Sequence, residues 1–103
     1  MNLKITIVQS GLHWENVVEN LTMFSQKIAA IPEQTDVIVL PEMFNTGFSM
    51  KSEQLAETMD GITVTWMREQ AQKSNAVIVG SLIISEKQKY FNRLVWVQPN
   101  GDY

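Results

Sequence analysis

The sequence predicts an α/β fold with the element order β-α-β-α-β-β, and three observations carry that expectation. Short apolar runs at Leu3–Gln9, Asp36–Leu40 and Ala76–Ile84 alternate with two longer stretches of helical periodicity. The second and third runs are almost continuously apolar, as strands buried on both faces of a parallel sheet are. Two successive β-α-β crossovers make the sheet at least partly parallel, with right-handed connections.

The elements follow in order. Leu3 to Gln9 alternate with enough β-branched content for a strand, and Lys4, Thr6 and Gln9 interrupt the apolar residues too often for a signal-peptide core. From about Trp14 to Ile31, the residues Trp14, Val17, Val18, Leu21, Phe24, Ile28 and Ile31 form one helical stripe, with Glu15, Glu19, Gln26 and Lys27 mostly outside it. Pro32 stops that helix. After the strand Asp36–Leu40, residues Pro41 to about Asp60 read as loop, with Asn45-Thr46-Gly47 as a turn and a short helix near Ser52–Met59. A second long helix runs from Asp60-Gly61 to Ser74-Asn75 and directs Ile62, Val64, Met67 and Ala71 inward, with Trp66 beside them. Gly80 inside the next strand signals a close backbone approach or a bulge. Ser85–Lys89 is a polar turn and Tyr90–Gln98 a fourth strand. Pro99-Asn100-Gly101-Asp102 is a hairpin turn whose partner strand is missing, since only Tyr103 follows. The two long helices cover one face of the sheet and nothing in the chain covers the other, so the unit reads as incomplete by itself.

Composition narrows the function classes. The 103 residues fit a single unit, 1–103, and bury about 65% of their unfolded surface, enough for one core. There is no cysteine, which excludes a disulfide scaffold and a cysteine-based zinc or iron–sulfur site, and one histidine, His13, which excludes a His-rich metal site. The net charge of −3 is spread along the chain without a Lys/Arg run, which argues against nucleic acid and anionic membrane as partners. No apolar run approaches the roughly 18 residues of a membrane span, so a cytoplasmic protein is the expectation. No metal and no organic cofactor is called for.

One constellation carries chemistry: Leu40-Pro41-Glu42-Met43-Phe44-Asn45-Thr46-Gly47-Phe48. Glu42 falls just past the carboxyl end of a buried parallel strand, the edge at which open α/β sheets bind ligands. Phe44 and Phe48 are expected to wall off water around it, the setting in which a carboxylate serves as a general base. The ordinary alternative is a solvent-facing acid in a loop, which is what most strand-end acids are.

The stretch Asp36-Val37-Ile38-Val39-Leu40-Pro41-Glu42, followed by Met43-Phe44-Asn45-Thr46-Gly47-Phe48, resembles the glutamate segment of the nitrilase superfamily of carbon–nitrogen hydrolases. The leading strand Ile5–Gln9, Trp14-Glu15, the helix with Asn16 and Asn20, the Val79-Gly80-Ser81-Leu82 strand and the strand with Asn92 fit the same pattern, so the resemblance spans essentially the whole chain. Glu-Met-Phe-Asn-Thr-Gly-Phe is most similar to the omega-amidase-like branch. The resemblance implies an α-β-β-α sandwich, of which 1–103 would be the N-terminal portion, and a Glu-Lys-Cys catalytic set acting through a thioester. Glu42 matches the base. Phe44, Asn45, Thr46 and Phe48 would shape the substrate pocket. The family's lysine and nucleophilic cysteine lie beyond a hairpin like the one begun at Pro99, so a remaining part of the protein would supply them; Lys87 and Lys89 do not match. The expected partners are a small-molecule amide, that remaining part and a second copy in a homo-oligomer. The competing expectation is a non-catalytic binding or assembly module, supported by the absence of cysteine. A small flavodoxin-like domain is disfavoured, because no Gly-rich phosphate loop follows the first strand.

The remaining residues read as structural. His13 is a capping or surface group, Trp14, Trp66 and Trp96 serve core or interface packing, Met23, Met59 and Met67 fill gaps, Met43 and Met50 flank the Glu42 loop as candidates to line its pocket, Glu53 and Glu57 form a solvated face, and Gly47 supplies a positive φ.

Overall fold

A computed structural model describes residues 2–103 and contains strands β1 (Ile5–Ile7), β2 (Val37–Val39), β3 (Val77–Glu86) and β4 (Lys89–Val97) and helices α1 (Val17–Ala29), α2 (Ser52–Leu55) and α3 (Ile62–Ser74). They form one mixed sheet in the order β1-β2-β3-β4. The first three strands are parallel, in the register Ile7 to Val39 to Val79, and β4 returns antiparallel on β3. The predicted order and parallel core are therefore present, with β1 and β2 shorter than the sequence suggested. Single backbone bonds continue the ladder past their ends, from Val8 N–H to Val39 O and from Leu40 N–H to Val79 O.

Helix α1 begins later than its apolar stripe. Asn16 is the N-cap, its side-chain oxygen accepting from the Glu19 N–H at 3.1 Å, so Trp14 lies outside the helix and is exposed. Val18 also faces solvent, because the buried stripe is set by Asn20, Leu21, Phe24 and Ile28. In α3 the inward face is Thr63, Val64, Trp66, Met67, Gln70 and Ala71, which leaves Ile62 exposed, contrary to expectation. Asn75 ends α3 in the left-handed region at φ 51°.

The polar turn after β3 is tighter than predicted. Glu86 still pairs with Lys89, and only Lys87 and Gln88 turn the chain, at φ 52° and 64°. Two consecutive positive φ values match the twist of a hairpin, but Lys-Gln lacks the Asn-Gly signature that would have revealed it. Beside this turn the Arg93 guanidinium, bonded to Glu86 at 2.7 Å, holds the Glu86 carboxyl below its ordinary value through the hydrogen bond first and its charge second. A lowered carboxyl value stabilises the hairpin above the ordinary glutamate range and loses that contribution as pH falls through the Glu86 value. Replacing Arg93 with Ala should move the Glu86 carboxyl titration, followed by NMR, back upward.

Helices α1 and α3 cover one sheet face. Between them and the sheet lie Phe24, Ile38, Phe44, Val64, Met67, Ile78, Leu82, Ile84 and Val97, all fully buried. Among the described residues no helix covers the opposite face: Ile5, Ile7, Leu94 and Trp96 are each more than half exposed, with Leu94 at 70%. Trp96, about half exposed, thus lies on this open face and not in the core, and Met50 is fully exposed. Among the described residues no helix is long and apolar enough to cross a membrane.

Candidate active site

The loop after β2 is built so that one side chain points outward. From Met43 to Gly47 every residue is buried, while Glu42 is exposed. Burial of a loop makes the pairing of its backbone groups a requirement, and several partners hold it in place. The Met43 N–H donates to Ser81 Oγ of β3 at 2.9 Å. The Met43 carbonyl accepts from the N–H groups of Thr46 and Gly47, closing a tight turn. Asn45 O accepts from Asn20 Nδ2 of α1 at 2.8 Å, and Thr46 O accepts from the Glu15 N–H at 2.7 Å. Gly47 sits at φ +79° as predicted, with Trp14 laid over it: a Cβ there would meet the indole at 3.3 Å.

Side chains complete the clamp. Asn45 Nδ2 donates to Glu57 Oε2 at 3.2 Å and to Thr63 Oγ1 at 3.1 Å, and its buried Oδ1 has no partner among the described residues. Glu57 is not the solvated helix-face acid the sequence suggested. It follows α2, its backbone bridges to β3 at Ile84, and its carboxylate accepts from the Thr63 N–H, the Thr63 hydroxyl and Asn45. It supplies the carboxylate cap that Gly61, at the N-cap of α3, lacks. The Glu57→Ala variant should lose about 2–3 kcal/mol of stability by stranding these donors, more than Glu57→Gln, as read from denaturant midpoints.

The predicted site residues separate into two groups. Glu42 and Phe48 are exposed at the carboxyl end of the parallel strands, with Phe48 at 65%. Phe44, Asn45 and Thr46 face inward. The Phe44 ring is fully buried, edge-on to Phe24 and tilted against Trp66, both with centroids 5.8 Å away. The water-excluding wall expected of Phe44 is therefore not formed by that ring, whose place is in the core under the loop. The physical reason is Gly80, whose missing side chain lets the ring lie flush against β3. Nearby, Glu15 at φ 54° accepts from Ser49 Oγ at 2.6 Å and meets Lys51 Nζ at 3.5 Å, tying the far end of the loop to the segment before α1. His13 is exposed, its Nδ1 3.2 Å from Glu19, and Asn92 is exposed on β4.

A concavity of about 540 Å³ is lined by Ser25, Ile28, Gln34, Gln70 and Lys73 among others and lies at the entry end of β2, away from Glu42. Glu42 itself is exposed and lines none of the concavities described among these residues. Among the described residues no three acidic or histidine side chains gather as a metal cluster. The chemistry available to Glu42 is that of one exposed carboxylate: accepting and returning a proton.

Comparison with known proteins bears on the family and the fold. The profile of the family described as carbon–nitrogen hydrolase matches residues 4–103. The chain is 39% identical over 99 residues to the omega-amidase YafV of Escherichia coli (strain K12), covering 96% of this chain and 38% of that protein. The same figures hold over 101 residues for the omega-amidase YafV of Yersinia enterocolitica. Among solved structures, XC1258 from Xanthomonas campestris, described as a CN-hydrolase superfamily protein with an arsenic adduct in the active site, superposes with a TM-score of 0.91 at 37% identity over 96% of this chain and 37% of that one. The chain spans 38% of the length of the curated relatives it matches.

Proposed function

This chain belongs to the carbon–nitrogen hydrolase family, and we propose that it is the base-bearing portion of an amidase that hydrolyses the terminal amide of small dicarboxylic acid monoamides. The observation that carries the reading is the loop from Met43 to Gly47, buried and pinned from α1, β3 and the α3 cap, which leaves Glu42 exposed at its start. A loop held this firmly around one exposed acid suits a catalytic group whose direction must not wander.

Glu42 takes the proton of a cysteine thiol, and the thiolate attacks the amide carbon. A lysine ammonium stabilises the oxyanion, Glu42 returns its proton to the leaving nitrogen, and ammonia departs to leave a thioester. Glu42 then takes a proton from water as that water attacks the thioester, releasing the acid and regenerating the thiol. The lysine and cysteine are supplied from outside these 103 residues. Phe48 borders the pocket, and Phe44, Asn45 and Thr46 shape it from beneath by fixing the loop. No metal or organic cofactor takes part. A cytoplasmic location and a homo-oligomer complete the proposal.

The test is ammonia release by the full-length protein from short dicarboxylate monoamides, set against amides of the same length lacking the distal carboxylate. Turnover of the first set with a clear preference over the second is expected. Turnover of simple amides without preference would keep the amidase reading and remove the omega-amide one. Absence of turnover on both would favour the non-catalytic assembly module.

A further inference from the structure

We propose that Ser81 is a positioning residue for Glu42, an inference that rests on reading Glu42 as the base. Three consecutive residues of β3 dock the segment Leu40–Phe44. Val79 O accepts from the Leu40 N–H at 2.8 Å, Gly80 leaves room for the Phe44 ring, and Ser81 Oγ accepts from the Met43 N–H at 2.9 Å. Glu42 is thus bracketed by two hydrogen bonds to neighbouring positions of one strand.

The second bond is the informative one. The Met43 N–H belongs to the peptide plane attached to the Glu42 Cα, so holding that N–H fixes the rotation about the Glu42 Cα–C bond. Met43 has φ 48°, a region that L residues other than Asn and Asp seldom occupy, so the chain alone does not favour this conformation. Ser81 is buried, at 6% exposure, and lies on the sheet face opposite the helices, in register with the exposed Leu94. A serine on an otherwise apolar stretch of β3 contributes little to packing that valine would not do better. Its hydroxyl instead satisfies a buried donor that no strand carbonyl reaches. Losing it would free the Glu42–Met43 peptide to rotate and swing the carboxylate off the reacting atoms.

The experiment compares full-length Ser81→Ala, Ser81→Thr and Glu42→Gln, with Ile28→Val as a control that trims the core in α1 away from the loop. Ser81→Ala should lower kcat about tenfold to a hundredfold with KM held within about twofold, the loss expected when a catalytic group is displaced by an ångström or less. Ser81→Thr keeps the hydroxyl and should recover most of that loss. Ile28→Val should lower Tm while leaving kcat unchanged. If Ser81→Ala does not fold, Ser81→Cys, nearly isosteric with a weakly accepting sulfur, serves in its place. A wild-type kcat in Ser81→Ala beside an inactive Glu42→Gln overturns the positioning role and leaves the base intact. A kcat loss that Ser81→Thr does not recover, or that Ile28→Val reproduces, overturns it as well. Full turnover in Glu42→Gln overturns both the base and its positioning.

Discussion

Full-length protein carrying Glu42→Gln should lose amide hydrolysis by about a hundredfold to ten-thousandfold in kcat, the range a general base contributes. The substitution is isosteric and removes only the ability to take a proton. Glu42 is exposed, while its loop is held by backbone and neighbouring side chains, so the fold should not register the change. Stability should stay within the roughly 0.5 kcal/mol scatter of surface substitutions, with Tm almost unmoved. Glu42→Asp makes a sharper companion. It keeps the proton chemistry but withdraws the carboxylate by one methylene, and because the loop cannot follow, kcat should fall about a hundredfold. A loop free to adjust would let Asp work nearly as well, so the Asp result reports on rigidity and the Gln result on the base. Parallel measurements of kcat and Tm on both variants settle the two questions separately.

That rigidity was only partly legible in the sequence. The position of Glu42 was, because a buried parallel strand followed by Pro41 puts the next residue at the carboxyl edge of the sheet, and there the structure places it. The glycines were legible too: Gly80 in a strand and Gly47 in a turn each announce a backbone requirement, and the structure shows which ring meets each one. The clamp was not. Asn20, Glu57, Thr63 and Ser81 are polar residues whose partners lie between 6 and 38 positions away, and no periodicity connects them. Polar residues on apolar elements were the available signal. Asn20 on the inward stripe of α1 and Ser81 within the apolar run of β3 each break a hydrophobic pattern, and each turns out to satisfy a loop backbone group. Glu57 was misread because spacing to Glu53 suggested one helix, whereas α2 ends at Leu55 and Glu57 joins the edge of β3 instead. The inward turn of Phe44 was unreadable for a related reason: an aromatic next to an acid looks the same in sequence whether it lines a pocket or anchors the loop.

The anchoring role of Phe44 makes Gly80→Ala the most damaging small substitution expected in this region. A Cβ at Gly80 would fall 2.8 and 2.9 Å from two ring carbons of Phe44 and 3.2 Å from the Leu40 Cβ. The ring has no room to yield, being fully buried between Phe24 and Trp66. Removing a strand glycine would by itself stabilise the chain by about 0.5–1 kcal/mol. Overpacking of a filled core costs about 1–3 kcal/mol, so the net effect is a loss. It should also reach the chemistry, since the ring can escape only by lifting the loop that carries Glu42, and kcat should drop together with Tm. Phe44→Leu alone destabilises by leaving a cavity. In the double variant the smaller side chain makes space for the new methyl, so the combined loss should be smaller than the sum of the single losses by more than about 0.5 kcal/mol, beyond ordinary additivity. Strictly additive stabilities, or a Gly80→Ala protein as stable as its parent, would show that ring and strand are not in the contact that fixes the loop. Denaturant midpoints for the four proteins of the cycle, with kcat measured on each, decide it.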